Sequence, residues 1–297
     1  MSPAAPPAPV RPRRSVLFMP ASNGRALDRA RALPADVVVF DLEDAVAPDT
    51  KPLAREMAVA AARGGGYGRR EVIVRVNGLD TPWGRDDLAA VAASRADGVL
   101  LPKVESPDAV GRSLDVLAAH AAPDAMTLWC MLETPRGVLG AEAIAASSPH
   151  VDALVMGTSD LGKALRARPT RDRGPLLTSL GLCVLAARAH GKAALDGVHL
   201  DLEDDEGFRA ACGQARDMGF DGKTLIHPSQ IAGANDAFSP SPADIARARR
   251  VIAAHAEAVA AGRGLAVLDG QLVENLHAED ARRVLALAEA IAALAAG

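Results

Sequence analysis

The chain has 297 residues, and its 33 Lys and Arg residues against 37 Asp and Glu residues give a formal net charge of −4. Charged residues make up 24% of the sequence without forming a long basic block, which excludes the electrostatic footprint of a nucleic-acid-binding protein. No uncharged apolar run reaches the length of a bilayer span, so no membrane protein is predicted.

The first 13 residues are rich in Pro and Ala and lack the apolar core of a secretory signal. This composition predicts a disordered tail over residues 1–13, with an organelle-targeting segment as the alternative. The three cysteines, Cys130, Cys183 and Cys212, are widely spaced and odd in number, which disfavours a disulfide framework and a thiolate zinc site. Together these features predict a protein of the reducing cytoplasm.

From residue 14 onward, short runs of branched apolar residues alternate with helical patterns, which include residues 23–33, 51–62, 107–121 and 207–218. Eight of the apolar runs are predicted to be strands: RSVLFMP, DVVVFDLED, EVIVRVN, GVLLPK, TLWCMLET, ALVMGTSD, AALDGVHL and GKTLIHP. Eight βα units over residues 14–238 predict an α/β fold of the (β/α)8 barrel type, with an open doubly wound sheet as the alternative.

The residues after the eighth unit, 239–297, exceed what a barrel needs. They predict a helix with Pro and Asp near its start, a short hairpin within VLDGQLVENLH, and a final helix over residues 278–295. The hairpin turns at an Asp-Gly pair and carries Glu274. Taken alone, Glu274 is more typical of a surface carboxylate than of a functional group.

Nearly every predicted strand ends in polar or charged residues, and in a barrel those ends converge on one mouth where active sites are built. The clearest examples are Asp41, Glu43, Arg75, Lys103, Glu133 and Asp160. No Gly-rich phosphate-binding fingerprint follows a strand, so a nucleotide cradle is not predicted.

Glu133 and Asp160 end the fifth and sixth predicted strands, which are neighbours in a barrel. Two carboxylates at close range repel unless a proton or a cation lies between them. Because only oxygen ligands are on offer, a hard ion such as Mg²⁺ is the natural occupant. The alternative is that both are solvated or paired with Arg136 and Lys163.

Arg75 ends the third predicted strand, where a buried guanidinium requires an anionic partner. A substrate carboxylate facing the metal is one such partner. A structural pair with Asp41, Glu43 or Asp44 is the alternative.

The motifs RSVLFMPASN, FDLEDAVAPDTK, VRVNG, LPKVES, LETPRG, MGTSDLG, DGVHLDLEDDEGF and GFDGKTLIHPSQI occur in order along the chain. Together they resemble the citrate lyase β-subunit-like branch of the HpcH/HpaI aldolase family, which includes malyl-CoA and citramalyl-CoA lyases. The resemblance implies a (β/α)8 barrel assembled as a homotrimer or hexamer, acting with Mg²⁺, or Mn²⁺ as a substitute, on CoA thioesters of short hydroxy-dicarboxylic acids.

The resemblance also implies roles for individual residues. The family's metal ligands fall on Glu133 and Asp160, and its substrate-carboxylate arginine falls on Arg75. The backbone around Gly157 and Thr158 is expected to receive the same carboxylate.

Further roles are implied around this centre. Arg14, Asp41 and Glu43 match a first-strand arginine that binds substrate and an acidic pair near the metal. Lys51 and Arg55 are candidates for the CoA phosphates, with a solvated helix face as the alternative.

The reaction implied by the resemblance is Claisen-type cleavage of malyl-CoA, or a related 3-hydroxyacyl-CoA, to acetyl-CoA or propionyl-CoA and glyoxylate or pyruvate. Such lyases carry a proton-donating Asp on a C-terminal segment that closes over a neighbouring subunit. Here Glu274 stands where that Asp is expected, and the ending VENLH resembles the malyl-CoA thioesterases of the family. Thioester hydrolysis is therefore the first alternative, and a carrier-dependent β subunit of a citrate lyase complex is the second.

Overall fold

A computed structural model of the chain describes residues 10–296. These residues form two compact units, one spanning Arg13–Phe238 and the other containing residues 239–296. Of the predicted disordered tail, residues 1–9 lie outside the described residues. The prediction of disorder is wrong at Arg13, whose side chain is buried and paired with Glu71.

The strands of the first unit follow the branched apolar runs of the sequence, and their side chains are almost all buried. They are β1 (Ser15–Pro20), β2 (Val37–Asp41), β3 (Glu71–Arg75), β4 (Gly98–Leu101), β5 (Thr127–Leu132), β6 (Val151–Met156), β7 (Ala193–Asp196) and β8 (Gly222–Leu225). All neighbouring strands are parallel, and β1 pairs with β8 through Val16 and Thr224. The sheet is therefore closed, which confirms the predicted barrel and excludes the open sheet.

Helices surround the strands. They are α1 (Gly24–Ala30), α2 (Lys51–Gly64), α3 (Gly84–Ala92), α4 (Pro107–Ala119), α5 (Pro135–Leu139), α6 (Ala141–Ala146), α7 (Thr158–Ala164), α8 (Leu177–Ala189), α9 (Asp205–Met218) and α10 (Ile231–Phe238). One apolar cluster fills the space between strands and helices, and a second fills the barrel interior. The interior cluster includes Val39, Ile73, Trp129 and Leu195, so the barrel is a packed core rather than a pore.

The end of the barrel where the strands begin is closed by charged and aromatic side chains. Arg13 lies over the Trp129 ring at 4.7 Å and donates to Glu71 at 2.6 Å. It also donates to Asp152, at the start of β6. This group seals the end of the barrel opposite the mouth.

A buried ion pair joins the last two strands to the surrounding layer. Lys223 donates to Asp196 at 2.6 Å, and both side chains are fully buried. Arg173 donates to both oxygens of the same carboxylate. The Asp196 charge is thus balanced by two cations, and Lys223 also donates to the carbonyl of Gly197 at the mouth.

The second unit contains α11 (Pro242–Ala260), β9 (Ala266–Leu268), β10 (Gln271–Val273) and α12 (Asn275–Ala295). Ser241 caps α11 and forms a capping box with Asp244, which explains the predicted helix start. Strands β9 and β10 pair antiparallel, and Asp269 and Gly270 between them both have positive φ, as a two-residue hairpin turn requires. The predicted hairpin is present in this unit.

Among residues 10–296, none of the helices combines the length and the apolar character that crossing a bilayer demands.

Candidate active site

Side chains from the ends of the strands line a cavity of about 370 Å³. The charged and polar members of its wall include Asp41, Arg75, Glu133, Thr158 and Asp160. Apolar side chains, among them Phe18, Met131, Met156 and Ile226, form much of the remaining wall. The fold therefore brings four of the six predicted strand-end residues, Asp41, Arg75, Glu133 and Asp160, into one concave site.

Arg75 is held by carboxylates from the segment that ends β2. Its Nε and Nη2 donate to the two oxygens of Asp41 at 2.7 and 2.6 Å. Its Nη1 lies 2.9 Å from Oε2 of Glu43 in an ion pair without hydrogen-bond geometry, and 3.5 Å from Asp44. The structural pair considered as an alternative is present, while Arg75 also faces the cavity. Although burial opposes its charge, these carboxylates raise the pKa of Arg75 above its usual range.

Glu133 follows β5 directly and is almost fully buried. Its Oε1 accepts a hydrogen bond from the backbone N–H of Lys103 at 2.8 Å. Burial, followed by repulsion from Glu43, raises the pKa of Glu133 to about 7. A cation beside Glu133 would offset the cost of holding its charged form in this buried place.

Gly157 allows this carboxylate to lie against the end of β6. A Cβ atom built on Gly157 would overlap both Cβ and Oε2 of Glu133. The φ angle of Gly157 is −96°, a value that any residue adopts, so glycine is required here for space alone. The close approach fixes where the Glu133 carboxylate stands.

Asp160 lies in the first turn of α7 rather than in the sixth strand, which ends at Met156. The cation nearest to Asp160 is neither of the two considered from the sequence, Arg136 and Lys163. It is Lys103, whose Nζ lies 3.7 Å from Oδ2 of Asp160. Arg136 instead lies 3.7 Å from Glu105. The Asp160 side chain is 43% exposed and lines the cavity with Glu133, so the two predicted metal ligands share one site.

Lys103 also belongs to this site, although the sequence indicated for it only a position at the end of a strand. Its Nζ donates to Oε1 of Glu43 at 2.9 Å. Although burial opposes its charge, that hydrogen bond and the surrounding carboxylates raise the pKa of Lys103. The missed signal was its place as the second residue after β4, equivalent to the place of Glu43 after β2.

These contacts connect the ionised groups of the mouth into one set, which we call the mouth charge cluster. It comprises Asp41, Glu43, Asp44, Arg75, Lys103, Glu133 and Asp160. Five carboxylates stand against two cations, a formal balance of −3 with every group ionised. An anionic substrate would be repelled from such a site unless a multivalent cation entered with it.

The donors at the mouth fit a hard divalent cation. Within residues 10–296 no three His, Cys, Asp or Glu side chains form a metal-binding group. Mg²⁺ is commonly bound through one or two carboxylates, with water and substrate oxygens completing its shell. Glu133 and the half-exposed Asp160 are two carboxylates that line the same cavity, and they match that pattern.

Arg14 does not belong to the mouth, which corrects the prediction that it binds substrate. It immediately precedes β1, at the opposite end of the barrel. Its Nε and Nη2 donate to the carboxylate of Asp36, which precedes β2. Its position before the strand, rather than after it, is the physical reason.

Lys51 and Arg55 are not free to bind CoA phosphates as predicted, nor do they form a solvated helix face. Lys51 is buried, and its Nζ donates to the carbonyls of Leu42 and Glu43 at 2.8 and 2.7 Å. Arg55 donates to the fully buried Asp87 at 2.6 Å. Both cations hold the loop that follows β2 and the helices beside it.

Glu274 is the N-cap residue of α12, directly after the hairpin of the second unit. Its backbone N–H donates to Nδ1 of His277 at 3.0 Å, and the side chain is partly exposed. This local contact accounts for the start of α12 three residues before the predicted start. A catalytic role for Glu274 stays a prediction.

Residues 14–228, which contain all eight strands of the barrel, match the family model described as HpcH/HpaI aldolase/citrate lyase. The chain belongs to this family. The resemblance stated from the sequence motifs is thereby confirmed.

Relatives within the HpcH/HpaI aldolase/citrate lyase family match nearly the whole chain. A (3S)-malyl-CoA thioesterase from Cereibacter sphaeroides is 54% identical over 96% of this chain and 98% of its own length. An L-malyl-CoA/beta-methylmalyl-CoA lyase from Cereibacter sphaeroides is 36% identical over 97% of this chain and 98% of its own length. Both alignments extend through the C-terminal unit.

Solved structures of family members share the fold. CitE from Mycobacterium tuberculosis, in complex with magnesium, acetoacetate and coenzyme A, superposes with a TM-score of 0.74 at 34% identity, covering 93% of this chain and 97% of that one. The citrate lyase β subunit of M. tuberculosis with oxaloacetate and magnesium has a TM-score of 0.67 at 33% identity, over 77% of this chain and 98% of that one.

Proposed function

We propose that this protein is a Mg²⁺-dependent thioesterase that hydrolyses (3S)-malyl-CoA, or the CoA thioester of a closely related hydroxy-dicarboxylic acid, to the free acid and CoA. The observation that carries the proposal is the difference between two full-length similarities. The chain is 54% identical to a malyl-CoA thioesterase and 36% identical to a malyl-CoA lyase of the same family.

The mouth charge cluster supports a reaction on an anionic substrate with a divalent cation. We assign Glu133 and Asp160 as the protein ligands of Mg²⁺, which when bound would supply a Lewis acid for the oxygens of the substrate. Asp41 and Glu43 orient Arg75, whose guanidinium would receive the substrate carboxylate together with the backbone at Gly157 and Thr158. Apolar wall residues such as Met131 and Met156 would exclude water from the rest of the bound acyl group.

Hydrolysis requires a base that takes a proton from the attacking water. We assign this role to Glu274, because it is a carboxylate at the end of a hairpin where the lyases of the family carry an acid. A carboxylate at that place activates water against the thioester carbonyl and leaves the carbon–carbon bond intact.

Cleavage of the carbon–carbon bond is the second candidate function. It is favoured by the full-length similarity to an L-malyl-CoA/beta-methylmalyl-CoA lyase, since both reactions bind the same ester. A carrier-dependent β subunit is less favoured, because the chain matches 98% of the length of the thioesterase, a family member named for a CoA ester.

We also propose that Mn²⁺ substitutes for Mg²⁺, because the assigned ligands are oxygen donors that both ions accept. The proposed assembly is a homotrimer or hexamer in which the hairpin of one subunit closes over the barrel of another. The proposed location is the cytoplasm, in keeping with three buried free cysteines.

Product analysis of the purified protein with (3S)-malyl-CoA and Mg²⁺ tests the proposal. Malate and free CoA in equal amounts are expected. Glyoxylate and acetyl-CoA would instead identify the lyase, and inertness towards CoA esters would refute both functions.

A pair of carboxylate variants tests the metal assignment. Glu133→Gln should lose Mg²⁺-dependent turnover by at least about 100-fold, because it removes a charged ligand and keeps the shape of the side chain. Glu105→Gln is the matched control, since Glu105 is an exposed carboxylate on the adjacent loop, and its turnover should stay within about twofold of wild type. Equal loss in both variants would contradict the assignment.

A further inference from the structure

Lys103 has a backbone conformation that its side chain disfavours. Its φ angle is +48°, in the left-handed region that residues other than glycine rarely adopt. Its backbone N–H is fixed by the hydrogen bond to Oε1 of Glu133 at 2.8 Å. Non-glycine residues held in this region concentrate at functional sites, where surrounding contacts maintain them.

The same residue reaches the other side of the site through its ammonium group. Nζ donates to Oε1 of Glu43 at 2.9 Å and lies 3.7 Å from Oδ2 of Asp160. Lys103 therefore contacts both assigned metal ligands, Glu133 through its backbone and Asp160 through its charge. It links the loop after β2, the end of β5 and the first turn of α7.

The positive charge of Lys103 would lower the affinity of this site for a cation. It is one of only two positive charges in the mouth charge cluster, and the other, Arg75, is turned towards Asp41, Glu43 and Asp44. A cation bound between Glu133 and Asp160 would share the Asp160 carboxylate with the ammonium of Lys103. Like charges sharing a carboxylate repel, and a divalent ion is repelled twice as strongly as a monovalent one.

We propose that Lys103 is a positioning residue of the metal site, whose ammonium group acts as a resident counter-ion for Glu43 and Asp160 and thereby limits the affinity of the free protein for divalent cations. The inference rests on the proposed function in one respect, the assignment of Glu133 and Asp160 as metal ligands. Its consequence is that the metal is held weakly until the carboxylate and carbonyl oxygens of a substrate complete the shell.

The test is the binding of Mn²⁺ alone to the full-length protein, followed by electron paramagnetic resonance at low ionic strength without any CoA ester. Lys103→Asn removes the charge and keeps a residue that tolerates a positive φ angle. Lys103→Arg keeps the charge. Arg136→Gln removes an exposed positive charge from the neighbouring helix and so matches the change in net charge.

Lys103→Asn should bind Mn²⁺ about tenfold more tightly than wild type, because one repelling charge next to the ion is gone. Lys103→Arg and Arg136→Gln should both stay within about threefold of wild type. Unchanged or weaker binding by Lys103→Asn, in a variant that unfolds at the wild-type temperature, would overturn the proposal. A change of equal size in Arg136→Gln would also overturn it, because net charge rather than position would then control affinity.

Glu133→Gln separates this inference from the function on which it rests. If Glu133→Gln abolishes Mn²⁺ binding while Lys103→Asn leaves it unchanged, the metal site stands and only the role of Lys103 is wrong. If Glu133→Gln binds Mn²⁺ as wild type does, the metal lies elsewhere and both assignments fail.

Discussion

Gly157→Ala offers a direct test of how closely activity depends on the placement of Glu133. The added Cβ would overlap Cβ and Oε2 of Glu133, and relief of the overlap requires a separation of roughly 1 Å. Displacement of a catalytic group by that distance lowers turnover by about 100-fold. The extra methyl group should also lower the free energy of unfolding by about 1–3 kcal/mol, because the surrounding strand ends are packed.

The control is Gly162→Ala in the same segment. Gly162 lies inside α7, and a Cβ built there has no atom within 4 Å. Alanine should therefore leave turnover unchanged and stabilise the helix by up to about 1 kcal/mol. Release of CoA from (3S)-malyl-CoA gives turnover, and urea denaturation gives the free energy of unfolding. Turnover of Gly157→Ala within twofold of wild type would refute the argument that Gly157 sets the position of Glu133.

Three further predictions concern the rest of the molecule. Glu274→Gln should lower turnover by about 100-fold and leave Mn²⁺ affinity unchanged, and normal turnover would remove Glu274 from the mechanism. Asp196→Asn leaves Lys223 and Arg173 without their shared carboxylate, so urea denaturation should show a loss of about 3–5 kcal/mol, whereas a loss below 1 kcal/mol would contradict the pairing described. The three cysteines are buried, and burial raises the pKa of the Cys130 thiol to about 12. Ellman's reagent at pH 8 should therefore detect no thiol in the native protein and three after denaturation, and any rapid native reaction would contradict the burial.

The barrel and the gathering of Asp41, Arg75 and Glu133 at its mouth were predictable from the sequence. Each residue follows a run of branched apolar residues, and parallel strands in a barrel must present their carboxyl ends on one side. The same reasoning places Arg14 at the opposite end, since it precedes β1. The resemblance to the family implied that Arg14 binds substrate. The structure shows instead that it pairs with Asp36 at the end of the barrel opposite the mouth.

The environments of Lys51, Arg55 and Lys103 were not predictable from local patterns. Asp87, the partner of Arg55, lies 32 residues further along the chain. Lys51 donates to main-chain carbonyls, and the pattern of side chains in a sequence does not show which carbonyls will accept. Lys103 donates to Glu43, 60 residues away, and has a backbone angle that favours glycine at a position where the sequence has lysine. Contacts that depend on tertiary packing and on unusual backbone angles leave no periodic signal in a sequence.

The seal formed by Arg13, Glu71 and Trp129 at the far end of the barrel bears on the order in which products depart. Together with the apolar side chains that fill the barrel interior, it closes the route through the barrel to the end opposite the mouth. In the proposed reaction the dicarboxylic acid would be held among the residues of the mouth charge cluster, with CoA extending outward. With the route through the barrel closed, both products of the proposed reaction would leave through the mouth, so CoA would have to depart before the acid beneath it could follow.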